Sequence, residues 1–204
     1  MKYKNDKIEC FGIINFDDGR ILSGIFDNDC NPIKGEINYK NGDNYIGDLN
    51  ENGLKNGKGI MKYINGEIYD GNWENDLKNG NGLLCLNNED YEKIKDIDIS
   101  INNIEEIFNL KLNNNIYKGE FINNKKYGKG ILFMNNKENY LNNNTIYFGN
   151  FLNDNKKGYG YIYFNNEKYF ECYWENNNKI DNSKEGIFHI NKLIEYTNYY
   201  NINE

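Results

Sequence analysis

Four lysines occupy one fixed place in a recurring pattern, each four residues before the second glycine of a Gly-x-Gly pair: Lys55, Lys78, Lys126 and Lys156, with Lys125 and Lys157 beside them. A column of ammonium groups is chemistry for anions, and each lysine near acidic lipid headgroups is worth about 1 kcal/mol. Acidic residues are interleaved with the column, and lysines at exposed turns and edges also serve solubility and block strand pairing. Two readings therefore stand, an anionic-lipid edge and a solvated rim.

Other residues invite chemistry and fail on spacing. The stretch GLKNGKG at 53–59 has three residues between its glycines where a phosphate loop has four, and no Ser or Thr follows Lys58. Asp27, Asp29 and Asn31 match the first ligands of a calcium loop, but Pro32 replaces the glycine and Asn38 the bidentate glutamate, so a hairpin turn is expected. His189 is the single histidine and has no Gly-x-Ser-x-Gly elbow to serve. Cys10, Cys30, Cys85 and Cys172 never pair as Cys-x-x-Cys, which fits reduced structural thiols rather than a metal site. The adjacent acids Asp17-Asp18, Glu89-Asp90 and Glu105-Glu106 read as solvated faces. No catalytic residue, metal or cofactor is expected.

A net charge of -7 argues against a nucleic-acid partner, which would draw its affinity from Lys and Arg. Neither a signal peptide nor an apolar run long enough to span a membrane is present, and a cytoplasmic protein is the expectation. At 38% hydrophobic and 15% aromatic residues the chain can bury a core.

The elements that must position the lysines come from a repeat. An aromatic-x-Gly pattern recurs at Tyr45-Ile46-Gly47, Tyr69-Asp70-Gly71, Tyr117-Lys118-Gly119 and Tyr147-Phe148-Gly149, with weaker copies at Leu22-Ser23-Gly24 and Phe170-Glu171-Cys172. Each is followed by a Gly-x-Gly stretch such as GKGIMKY at 57–63 or GYGYIYF at 158–164. Tyr69, Gly71 and Trp73 fall on one face and Asp70 and Asn72 on the other. Period two means a strand with one buried face, and two strands joined by a polar turn make a hairpin. A single hairpin is marginal, but a stack of them buries a continuous stripe. Glycine in that stripe leaves room for a large ring lying flat on the sheet. Cys172, in the glycine column, is a small substitute.

These residues resemble the MORN (membrane occupation and recognition nexus) repeat family, whose unit runs Tyr-x-Gly-x-Trp and then Gly-x-Gly, an aliphatic residue and an aromatic one. The resemblance implies an all-β, elongated single-sheet array of stacked antiparallel β-hairpins, reached independently by the periodicity. Repeats fall at about 8–21 (partial), 22–44, 45–68, 69–89, 117–136, 147–168 and 169–190. Residues 90–116 and 137–146 interrupt the array and 191–204 form a tail. In the first interruption Ile97, Ile99 and Ile101 alternate like a strand. Asn103 stands where it would cap a short helix with apolar face Ile104, Ile107, Phe108 and Leu112. In the tail, Ile190, Leu193, Ile194 and Thr197 are at helical spacing, either a cap for the last hairpin or a partner helix.

On the face away from the glycines, the later strands carry Leu83, Cys85, Ile131, Phe133, Tyr161 and Tyr163, an apolar stripe that marks an interface. The insertion, the tail or a second chain, as in a homodimer, is expected to cover it. The resemblance implies a non-enzymatic scaffold or adaptor in a cytoskeletal or membrane-associated assembly, with a protein that binds phosphoinositides or other acidic lipids and a targeting subunit of a separate enzyme as the alternatives.

Overall fold

The structure, a computed structural model, describes residues 10–100, 103–135, 144–164 and 168–187. Thirteen strands form one antiparallel sheet in sequence order: β1 Cys10–Asn15, β2 Ile21–Phe26, β3 Pro32–Asn38, β4 Asn44–Leu49, β5 Lys55–Lys62, β6 Ile68–Glu74, β7 Leu77–Cys85, β8 Ile116–Ile122, β9 Lys125–Met134, β10 Thr145–Leu152, β11 Asn155–Phe164, β12 Lys168–Glu175 and β13 Asn178–Ile187. Every strand pairs only with its sequence neighbours, so the array is held one interface at a time. At about 4.8 Å per strand step it is roughly 60 Å long.

Register is set by a glycine row. Gly12, Gly24, Gly35, Gly47, Gly59, Gly71, Gly82, Gly119, Gly130, Gly149 and Gly160 lie directly opposite one another from strand to strand, and Cys172 continues the row on β12. The rings that need this space stand on the first strand of each hairpin, two residues before its glycine, and reach across to the glycine of the second strand. A Cβ at Gly130 would lie 2.5 Å from Tyr117 Cε2, and one at Gly82 2.5 Å from Tyr69 Cε2. Each tyrosine thus covers the glycine two residues on and its partner across the hairpin. Its hydroxyl then donates to the carbonyl three residues on: Tyr45 to Asp48, Tyr69 to Asn72, Tyr117 to Glu120 and Tyr147 to Asn150.

The aromatic residue four positions after each tyrosine explains the rest of the motif. Trp73 stands edge-on between Tyr45 and Tyr69, Phe121 between Tyr69 and Tyr117, and Phe151 between Tyr117 and Tyr147, while Trp174 closes on Tyr147. Centroids are 5.0–5.7 Å apart, the T-shaped geometry that adds about 0.5–1.5 kcal/mol per pair beyond burial. Neighbouring repeats are therefore joined twice, by the sheet ladder and by this row of rings.

The opposite face has its own core. Between β7 and β8 the chain forms α1 (Asn88–Ile94), capped by Asn87 accepting the Asp90 N–H, and α2 (Ile104–Asn109). Ile94, Ile99, Ile104, Ile107 and Leu112 pack with Leu83, Cys85, Ile116, Phe133 and Ile146 of the sheet. Ile97 and Ile99 belong to an irregular segment, not a strand, because the sheet's neighbouring edges are already paired through β7 and β8. α2 forms where its apolar spacing requires, but Asn103 donates to the Asp98 carbonyl instead of capping the helix. The tail helix expected from Ile190 to Thr197, and His189, lie outside the described residues.

Candidate functional site

The lysine column is built by turn geometry. Four hairpins close with two residues in positive φ, Asn75-Asp76, Asn123-Asn124, Asn153-Asp154 and Asn176-Asn177. Asn and Asp tolerate this conformation, and it matches the twist of the flanking strands. The tight turn sets Lys78 opposite Trp73, Lys126 opposite Phe121, Lys156 opposite Phe151 and Lys179 opposite Trp174. Earlier in the array Lys55 stands opposite Leu49. The lysines consequently point onto the glycine and aromatic face.

Each sits over rings. The Lys55 ammonium lies 5.1 Å from the Trp73 centroid and 5.4 Å from Tyr39, and Lys78 lies 5.1 Å from Tyr69 and 5.2 Å from Tyr63. Lys126 lies 5.1 Å from Tyr117, Lys156 4.7 Å from Trp174 and 4.8 Å from Tyr147, and Lys179 5.1 Å from Phe170. A cation over an aromatic face gains about 0.5–2 kcal/mol, more as water is excluded. The side chains of Lys55 and Lys78 are only 11% exposed. The expectation of a freely exposed lysine edge is thereby corrected: the backbones are at the turns, but the heads are drawn inward by the rings.

Charge compensation is uneven. Lys55 pairs with Asp76 at 3.1 Å and Lys78 with Glu67 at 2.9 Å. Lys126 feels Asp154 and Glu67 only beyond ion-pair distance, and the Lys156 ammonium meets the Met134 sulfur at 3.4 Å. Burial pushes both of these lysines below the ordinary ammonium pKa. Lys125 and Lys157 point to the other face, Lys125 exposed and Lys157 3.8 Å from Glu175. The arrangement holds cations in an apolar groove, which suits binding of anions; no nucleophile and base are brought together in it.

Comparison with known proteins fits this geometry. The MORN repeat model matches residues 45–68, 69–91, 117–137 and 147–168, the four units whose tyrosines form the ring row. The chain is a MORN-repeat protein. It is also similar to alsin of Homo sapiens and of Rattus norvegicus, 32% identical over 78 residues, covering 36% of this chain and 5% of alsin. A probable serine/threonine-protein kinase of Dictyostelium discoideum is 52% identical over 42 residues, 21% of this chain and 2% of the kinase. The chain thus spans a small fraction of the length of the curated relatives it matches. MORN repeats are a non-catalytic type concerned with protein or membrane interaction.

The other candidate surface of this MORN array is largely internal. Of the apolar stripe, Leu83, Cys85, Phe133 and Tyr163 are buried, and Ile131 and Tyr161 half-buried. The stripe is not an open interface, because the insertion between β7 and β8 lies over its centre. Burial also pushes the Cys85 thiol up to about 12, the Asp90 and Asp70 charges adding to it.

Asp90 itself departs from the solvated-face expectation. It is fully buried, accepting the Asn113 N–H at 2.9 Å and the Asn114 amide at 3.0 Å, and so ties the two ends of the insertion together. Asp70 receives the Tyr91 hydroxyl at 2.9 Å, a second tie between α1 and the sheet. A cleft of about 420 Å³ remains between residues 94–99 and strands β6 to β10.

The remaining sequence candidates resolve as structure. Asp27 accepts the N–H groups of Asp29 and Asn31 in a hairpin turn, as expected for a failed calcium loop. Among the described residues no group of three or more His, Cys, Asp and Glu side chains is placed to hold a metal, and no helix is long and apolar enough to cross a membrane. Two features escaped the sequence reading. Lys179 belongs to the lysine row, and the signal was its position five residues after Trp174, as Lys78 follows Trp73. On the N-terminal half of the face away from the rings, Phe11, Ile13, Ile21 and Ile46 are exposed.

Proposed function

We propose that the chain is a non-enzymatic scaffold that binds a protein partner along its aromatic and lysine face, in a cytoskeletal or membrane-associated assembly. The observation that carries this is the asymmetry of the two faces. The insertion closes the middle of one face, while no described helix packs on the other. That face is lined at its rim by half-buried Tyr39, Tyr63, Leu84, Leu132 and Met134. Rigid aromatic rings and methionine are what protein-binding surfaces concentrate at their centres, and the lysines add charge that can select the partner.

A photo-cross-linking residue placed at Tyr63 or Met134, with others at Lys95 and Glu106 on the insertion, tests the proposal in the native cell. The expected result is one protein captured from positions 63 and 134 and not from 95 and 106. Capture only from the insertion, or none from either face, overturns it.

A further inference from the structure

The lysine row changes character along the array, and two recurring positions bear on the change. Two residues before each aromatic-x-Gly motif stand Asp43 and Glu67, then Asn115, Thr145 and Lys168. At the second turn position stand Asp76, Asn124, Asp154 and Asn177. The first column thus loses its acids after Glu67; the turn column alternates, and Asp154 binds the Lys126 backbone N–H without reaching ion-pair distance of its ammonium. Lys55 and Lys78 have their carboxylates, whereas no carboxylate lies within ion-pair distance of Lys126, Lys156 or Lys179 among the described residues. Yet the cage of rings is kept, with Tyr117, Tyr147, Trp174 and Phe170 beneath these three ammonium groups.

We infer that the C-terminal third of this face, over Lys126, Lys156 and Lys179, is a docking groove for an extended acidic segment of a partner protein, its carboxylates spaced about three residues apart. The spacing follows from the sheet. Successive lysines are two strands apart, roughly 9.6 Å at about 4.8 Å per step, and an extended chain rises about 3.3 Å per residue. The segment runs along the array and across the strands, so recognition is by side chains and not by strand addition. Carboxylates compensate the half-buried ammonium groups of Lys126 and Lys156 and pair with the exposed Lys179 at the end of the row, while the apolar residues between them meet the rings and Ile162 and Met134 of the groove wall. A protein segment is favoured over a membrane because the cations lie within the sheet's aromatic face rather than on a protruding edge.

This rests on the scaffold reading above and adds the chemistry of the partner. The test is fluorescence anisotropy with a short labelled peptide carrying glutamate at every third position, and a second peptide with glutamine at those places, at near-physiological salt. Binding is measured to the wild-type protein, to K156Q/K179Q, and to K34Q/K62Q, which removes the same charge from the opposite face. The glutamate peptide should bind the wild type and K34Q/K62Q alike, bind K156Q/K179Q roughly tenfold or more weakly, and exceed the glutamine peptide. Circular dichroism and melting show that each variant is folded. No binding by the wild type, equal binding of the two peptides, or an equal loss in K34Q/K62Q overturns the inference. So does a result in which K156Q/K179Q abolishes binding to phosphatidylserine vesicles but leaves the peptide untouched. Cross-linking from positions 63 and 134 with an indifferent peptide would leave the scaffold standing and remove only its acidic specificity.

Discussion

Asp76 holds Lys55 at three points. Its N–H donates to the Lys55 carbonyl at 2.9 Å, its Oδ1 accepts the Lys55 N–H at 2.9 Å, and the same oxygen lies 3.1 Å from the Lys55 ammonium. The backbone part of this clamp recurs wherever a two-residue turn meets the preceding hairpin: Asn124 on Lys78, Asp154 on Lys126 and Asn177 on Lys156. The turn of one repeat therefore fixes the lysine of the repeat before it.

Removing the clamp's side chain leaves a backbone N–H without its acceptor. Asp154→Ala should lower stability by about 1 kcal/mol, and Asp154→Asn, which keeps the oxygen, by markedly less. Urea denaturation monitored by tryptophan fluorescence measures both. Equal losses for the two variants would assign the role of Asp154 to charge rather than to the hydrogen bond.

The glycine row predicts a coupled cost. Gly130→Ala drives a methyl group into the Tyr117 ring and should destabilise by about 1–3 kcal/mol. In a Tyr117→Leu background, with the ring gone, the same substitution should cost less, so the two losses fail to add. Strict additivity in the double-mutant cycle would show that the ring is not the reason for the glycine.

The insertion is held by Asp90, so Asp90→Ala should cost about 1.5–3 kcal/mol, the range for hydrogen bonds to a charged group. Hydrogen exchange should quicken in residues 88–112 and stay slow in β2 to β4, none of whose residues belongs to the core that the insertion completes. Phe133→Asp, which buries a charge beneath the same insertion, should be harsher still. Uniform acceleration over the whole array would instead mean that the insertion is integral to every repeat.

Alkaline pH should unfold the array through its tyrosines. Burial, followed by the Glu67 charge, pushes Tyr63 up to about 12, and burial raises Tyr45, Tyr69, Tyr117 and Tyr147 as well. A group whose folded pKa is raised contributes fully below its unfolded value. Above about 10 the unfolded chain loses these protons first, so stability falls as pH rises from there. Stability that is flat through this range, read from urea midpoints, would contradict the buried ring row. The thiols give a companion measurement: Cys10 and Cys30 are exposed and should react at once with a thiol reagent, Cys85 and Cys172 only after unfolding.

The fold was legible because its rules are local. Tyr-x-Gly-x-Trp and Gly-x-Gly specify which face each residue takes, a Tyr covers a glycine two residues away, and sequential hairpins need no distant partner to choose their register. The lysine column was legible as a position but not as an environment. Counting from the glycines found Lys55, Lys78, Lys126 and Lys156 and missed Lys179, whose strand lacks the Gly-x-Gly pair at the corresponding place.

The sequence by itself determined the order of strands, the glycine row and the loss of acids after Glu67 from the position before each motif, since each is a matter of type and spacing within a few residues. Tertiary structure alone decided where the lysine heads go and what covers the Leu83, Cys85 and Phe133 stripe. The first depends on the tight turns, whose geometry sets each lysine opposite an aromatic and over rings of adjacent strands. The second depends on Asp90 meeting Asn113 and Asn114 across the insertion, a closure that no short-range pattern encodes.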